Sequence, residues 1–160
     1  MGKLLDRIEL ELLHTPATTF FEKFKNIVFG AFIYIAWSTF ILWLYEIFIP
    51  EFRPSTPSFH LSNSLIFTFI GSCIIAPFVE EAIYRLPLRL LKNVKIEGMM
   101  IIGVLFSSVL FGRAHWGGSW TVPKQGVAGL AFCYVYLKNG YSYLSSVATH
   151  FIVNFFFLLN

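Results

Sequence analysis

Residues 64–85 read SLIFTFIGSCIIAPFVEEAIYR, an uncharged apolar run that breaks into two adjacent glutamates, with an arginine four positions after the second. The run belongs to a longer uncharged stretch, Pro54 to Val79, of 26 residues. A helix needs about 20 apolar residues to cross the hydrocarbon of a bilayer, so this stretch is long enough to be a span. The whole composition agrees. Of 160 residues, 56% are hydrophobic and 13% charged, against roughly 25% charged in a soluble domain. The expected fold class is all-α, a polytopic membrane helix bundle.

Working outward, Asn26 to Tyr45 and Asn139 to Asn160 are charge-free runs of 20 and 22 residues, each long enough to span. Ile96 to Gly112, broken only by Glu97, and Gln125 to Leu137 are shorter. These two cross a membrane only with flanking residues included or with neighbouring helices shielding them. About five transmembrane helices are therefore predicted over residues 26–160. Residues 1–25 differ in character: Lys3, Asp6, Arg7, Glu9 and Glu11 alternate with Leu4, Leu5, Ile8, Leu12 and Leu13 at helical spacing. That pattern predicts an N-terminal amphipathic helix lying on the membrane surface. The segment lacks the apolar centre and small-residue cleavage site of a secretory signal. Asp6 stands where a myristoylation motif requires Ser or Thr.

The segments between the predicted spans carry nine Lys and Arg on one side and three on the other. The excess predicts a cytoplasmic N-terminus and a multi-pass integral membrane protein, in the cell membrane for a prokaryotic chain. The twelve basic residues, a formal net charge of +3, form no dense run. They argue for the lipid bilayer as partner and against nucleic acid. Cys73 and Cys133 lie inside apolar runs without CxxC spacing, the pattern of small core residues rather than a disulfide framework or thiolate metal site.

Charges near a span need a cause, because a carboxylate or guanidinium at mid-bilayer costs at least about 2.5–3.5 kcal/mol on insertion scales. On a helix Glu81 and Arg85 have the favoured i, i+4 order for an ion pair. Glu80 points about 100° away from Glu81 and is the less neutralised of the two. The bland reading makes all of them the wet end of a span. Against it, chemically capable side chains recur at two other apolar segments: FGRAH at 111–115 and HFIVN at 150–154. His150 and Asn154 share a helix face by their i, i+4 spacing.

The sequence excludes several chemistries. Asp6 is the only aspartate, which removes a Ser-His-Asp triad and a two-aspartate dyad. There is no HExxH, no Gly-x-Ser-x-Gly elbow and no P-loop. Glutamate, two histidines and an asparagine from three helices remain, and they suit two mechanisms. In one, Glu80 is the general base for a water, while His and Asn donors stabilise a tetrahedral oxyanion. In the other, Glu and His residues bind a divalent ion such as zinc, which lowers the pKa of its water.

EEAIYR fits EExxxR, FGRAH fits FxxxH and HFIVN fits HxxxN, in the order and approximate spacing of the CPBP intramembrane proteases, which the chain therefore resembles over residues from about 60 to 158. That family comprises CAAX-processing, Rce1-type enzymes and bacteriocin-processing or immunity proteins. The resemblance implies a membrane-embedded helical endopeptidase in which Glu80 and His115 activate water. It implies that His150 and Asn154 stabilise the oxyanion or lie near a metal at Glu80, His115 and His150, with Glu81 and Arg85 supporting. Implied substrates are peptides or proteins: a prenylated C-terminus, a leader peptide or another membrane protein's tail. The alternative is a non-catalytic immunity or scaffold protein of the same fold. A transporter is a distant third.

Two expectations depend on geometry. Leu86 and Pro87 depart from the family's usual first motif and bear on where that helix ends. If the helix ended soon after Glu80, that residue would lie at the membrane edge and His115 across the bilayer. A helix continuing to about Leu91, followed by a short or bent one, is expected instead. The segment 115–126, with Gly117, Gly118, Trp116 and Trp120, is expected either to border the substrate entrance or to be an ordinary interfacial loop.

Overall fold

The structure, a computed structural model, describes residues 16–48, 64–94, 96, 98–115 and 121–159. Among these residues every regular element is helical. Helix α1 is Phe20–Phe48. Helix α2, Ser64–Thr68, continues through a π-helical segment, Phe69–Ile75, into α3, Ala76–Leu91. Helices α4, Met99–Ala114, α5, Thr121–Lys138, and α6, Tyr143–Leu159, complete the chain. Two rods are long and apolar enough to cross a membrane, Phe20–Phe48 and Leu65–Leu91.

Of the predicted amphipathic segment, residues 1–15 lie outside the described residues, and residues 20–25 already belong to α1. The start is set by a capping box. Thr19 Oγ1 accepts from Glu22 N–H at 3.2 Å, and Glu22 Oε2 accepts from Thr19 N–H at 3.1 Å and Thr18 N–H at 2.9 Å. These bonds satisfy donors that a helix N-terminus otherwise leaves orphaned.

The last apolar run is also shorter as a helix than as a sequence. Asn139 to Ser142 form a turn in which Gly140 and Tyr141 have φ of 71° and 62°, so α6 begins at Tyr143. Buried Asn139 fastens this turn to α1: its Nδ2 donates to Lys23 O at 3.1 Å, and its Oδ1 accepts from Asn26 Nδ2 at 2.8 Å. Lys92 Nζ lies 5.3 Å from the Tyr141 ring centroid. The start of α1, the α3–α4 connection and the α5–α6 turn therefore share one end of the bundle. At the other end, Trp37 Nε1 donates to Pro123 O at 3.0 Å, joining α1 to the start of α5.

The bundle is apolar outside and polar within. Phe32, Phe67, Ile83, Leu90, Ile102 and Phe106 are exposed, whereas Ser38, Glu81, Arg85, Ser107, Ser108, Ser146, Thr149 and His150 are buried. Water would punish so much exposed hydrocarbon, but lipid does not, and polar side chains then serve between helices. The protein is an integral membrane protein by this pattern. Helix α5, short for a span, sits at the centre with Ala128, Phe132, Cys133, Val135 and Tyr136 buried. Its approach to α4 is close because Gly129 has no side chain: a Cβ there would lie 2.8 Å from Ser108 Cα. Cys73 and Cys133 are free and buried.

Candidate active site

The two adjacent glutamates have separate surroundings, as their angular offset on α3 requires. Glu81 and Arg85 are both fully buried, with Arg85 Nε 2.9 Å from Glu81 Oε2. The N–H is not aimed along that vector, since Nε makes no directed hydrogen bond, so the contact is charge pairing. Glu81 also accepts from Ser146 Oγ and, at 3.0 Å, from His150 Nδ1. Arg85 Nη1 donates to Ser107 Oγ at 2.9 Å, and Ser107 Oγ donates to Tyr84 O at 2.6 Å. The guanidinium lies 5.1 Å from the Phe111 ring centroid and 5.8 Å from that of Phe132. One ion pair thus ties α3 to α4, α5 and α6.

Glu80 faces elsewhere. Its Oε2 is 3.7 Å from His115 Nε2 and 3.9 Å from His150 Nε2, distances that one bridging water spans. This Oε2 is itself buried and has no hydrogen-bond partner in the protein. Both imidazoles are oriented from behind. His115 Nδ1 is 2.7 Å from Phe111 O, and a carbonyl can only accept, so Nδ1 carries the hydrogen. His150 Nδ1 donates to the Glu81 carboxylate in the same way. In the neutral rings the Nε2 lone pairs are therefore the free ones. Phe111 supplies the carbonyl, sets its ring 4.6 Å from that of His115 at a 47° tilt and covers Arg85, which accounts for the Phe of FxxxH. Phe132 lies flat against His150, centroids 4.6 Å apart.

The expected continuation of the helix is present: α3 runs through Pro87 to Leu91. Glu80 therefore lies 11 residues, about 16 Å of helix, inside that end, level with His115 at the opposite end of the antiparallel α4. His115 itself has left the helix, with extended φ and ψ of −84° and 125°. Residues 116–120 of the suggested entrance segment lie outside the described residues.

Asn154 is engaged by the π-helical segment. Ala76 N–H bonds back five residues to Gly71 O, and the next residue, Pro77, has no N–H to give. Ser72 O is left without its helical donor, and Asn154 Nδ2 donates to it at 2.7 Å. One amide hydrogen of Asn154 remains for another acceptor. Glu80, His115, His150 and Asn154 all line one cavity of about 500 Å³, together with Tyr34, Ser72, Lys124 and Gln125, a size that suits a small ligand.

Sequence reasoning left several of these residues unnamed. Ser72 is marked by Ala76–Pro77, a proline that must break an α-helical hydrogen bond just behind it. Ser107 and Ser146 stand in serine pairs inside apolar segments, a signal for interhelical bonding. Tyr34 carries no local signal. It lies in the Asn26–Tyr45 run, outside the residues that carry the family resemblance, yet its Oη donates to Gln125 Oε1 at 2.7 Å in the cavity wall.

The donor types at Glu80, His115 and His150 suit a divalent ion, but the spacing is wide. Ligand atoms 2.0–2.1 Å from a tetrahedral zinc lie about 3.3 Å apart, and among the described residues no three His, Cys, Asp or Glu side chains are placed to hold an ion. No step below passes through a metal.

These features define an integral membrane helix bundle with a Glu–His–His cluster facing an internal cavity. The chain belongs to the Rce1-like family, described as type II CAAX prenyl endopeptidase Rce1-like, which matches residues 62–156. It is accordingly a membrane protease by family, a hydrolase of peptide or protein substrates. No curated protein and no solved structure matches the chain.

Proposed function

We propose that this protein is a glutamate-dependent intramembrane endopeptidase in which Glu80 and His115 activate water and His150 and Asn154 receive the oxyanion. The observation that carries the reading is the buried, unpartnered Glu80 Oε2 set before two imidazole Nε2 atoms at 3.7 and 3.9 Å. A water there donates its two hydrogens to Glu80 Oε2 and His115 Nε2 and keeps a lone pair for a carbonyl carbon. Glu80 takes a proton as the oxygen–carbon bond forms. It returns that proton to the amide nitrogen as the C–N bond breaks, and the new acid loses its own through a histidine. Asn154 offers the carbonyl oxygen its remaining N–H, and His150 offers an Nε2–H when its ring is doubly protonated.

The substrate class is a peptide presented at the membrane, of which a prenylated C-terminus is the member that the family description supports. The protease core is residues from about 60 to 158, with α1 completing the cavity wall through Tyr34. The protein is multi-pass with its N-terminus cytoplasmic, a reading supported by Lys23, Lys25, Lys92 and Lys138 at the bundle end that holds the start of α1.

The test is cleavage of a farnesylated CAAX-type peptide by detergent-purified protein. In water enriched in heavy oxygen, one label should enter the new carboxylate. His115→Ala and His150→Ala should each slow turnover by about 10²–10⁴-fold, and a chelator should leave the wild-type rate within about twofold. Wild-type rates in both variants would sink the residue roles. Loss of activity on chelation, restored by zinc, would replace this mechanism with a metal-dependent one.

A further inference from the structure

The cavity has a second charged wall that hydrolysis does not use. Lys124, in the first turns of α5, is the one Lys or Arg among the described residues that lines it. Its side chain is partly buried, with Nζ 5.9 Å from the Phe157 ring centroid, so the ammonium lies along the inner face of α6. Among the described residues no carboxylate pairs with it: Glu81 is held by Arg85 and His150, and Glu80 faces the two histidines. Beside it, Gln125 has committed its Oε1 to Tyr34, which leaves that amide with donors to offer. A half-buried ammonium next to amide N–H groups is a receptor for an anion.

The spacing says which part of a substrate reaches it. His150, level with Glu80, and Phe157, level with Lys124, are seven residues apart on α6, about 10 Å of helix. An extended peptide advances about 3.4 Å per residue, so a carbonyl at Glu80 and an anion at Lys124 are about three residues apart along one chain. We propose that Lys124 anchors the C-terminal carboxylate of the peptide and so determines specificity for cleavage near a free C-terminus. This rests on the hydrolase reading above. The same ammonium chemistry would also accept a lipid phosphate, and the two sources are separable by experiment.

The probe is a short farnesylated peptide ending in a CAAX tetrapeptide, made as the free acid and as the C-terminal amide, with the protein in phosphatidylcholine vesicles. Wild type should favour the acid by about 10-fold in kcat/KM, the worth of one charge-assisted hydrogen bond, chiefly through KM. Lys124→Met should bring the acid down to the level of the amide, and Lys124→Arg should restore most of the preference. Equal rates for acid and amide in wild type overturn the proposal, as does a Lys124→Met loss equal for both peptides. An effect of Lys124 that appears only when phosphatidylglycerol is added, alike for both peptides, assigns the residue to lipid and also overturns it. Binding to Glu80→Gln protein separates the two readings. If wild type cleaves neither peptide, yet Glu80→Gln binds the acid more tightly than the amide and Glu80→Gln/Lys124→Met does not, the anchor stands and the hydrolase reading fails. Equal binding of acid and amide to Glu80→Gln overturns the anchor.

Discussion

Glu81 and Arg85 have no exposed surface, and in a membrane interior neither charge is tolerable without the other. Arg85→Met should therefore destabilise the bundle by about 3–5 kcal/mol, while Glu81→Leu combined with Arg85→Met should recover most of that loss. The double variant should still be a poor enzyme, because His150 Nδ1 loses its acceptor and the ring its fixed tautomer. Unfolding in detergent measures the first effect and peptide cleavage the second; equal destabilisation by the single and double changes would contradict the account. The pair itself was legible from i, i+4 spacing on one helix. That Glu81 also orients His150, 69 positions away, was not, because no local pattern encodes which helices pack together. That the adjacent glutamates face different surroundings was readable from a 100° turn, but the burial of Glu80 Oε2 needed the fold.

At the scale of elements, the π-helical segment shapes the wall of the cavity. Pro77 cannot donate an N–H and would clash with the carbonyl of Cys73 in a regular α-helix, so the wider turn at Phe69–Ile75 accommodates it and releases Ser72 O to Asn154. Pro77→Ala removes the cause. It should let the rod approach regular α-geometry, break the Asn154 contact and lower turnover by about 10-fold, the loss expected of one misplaced oxyanion donor or less, with helical content retained by circular dichroism. Unaltered turnover in that variant would detach the π-segment from catalysis. Helix count and most boundaries followed from uncharged runs. Three boundaries did not: α3 runs past Val79 to Leu91, α1 starts early because Thr19 and Glu22 cap it, and α6 starts late because Gly140 and Tyr141 take positive φ. The capping box T-x-x-E was present in the sequence as a usable signal. The turn at Tyr141 was not, since an aromatic residue with positive φ is held there by its surroundings.

For the whole molecule, the distribution of charge sets orientation. The ends of α1, α3 and α5 that carry Lys23, Lys25, Lys92 and Lys138 meet at one end of the bundle, and the proposed orientation, argued from the positive-inside rule, has that end facing the cytoplasm. A cysteine introduced at Lys25 should be shielded from a membrane-impermeant thiol reagent in intact cells and labelled in inverted vesicles; the reverse would invert the topology. Under that proposal the Lys124 end of the cavity would face the opposite side. The apolar helices were legible because lipid demands long apolar runs, whereas the cavity between them was not, because Tyr34, Ser72 and Lys124 converge only through packing. The central claim is that a single carboxylate, Glu80, is the base. It is tested most directly by comparing the turnover of wild type and Glu80→Gln on one farnesylated CAAX-type peptide, at matched unfolding midpoints. The account predicts a loss of about 10²–10⁴-fold with Glu80→Gln. Turnover at the wild-type rate by the folded Glu80→Gln protein would contradict it.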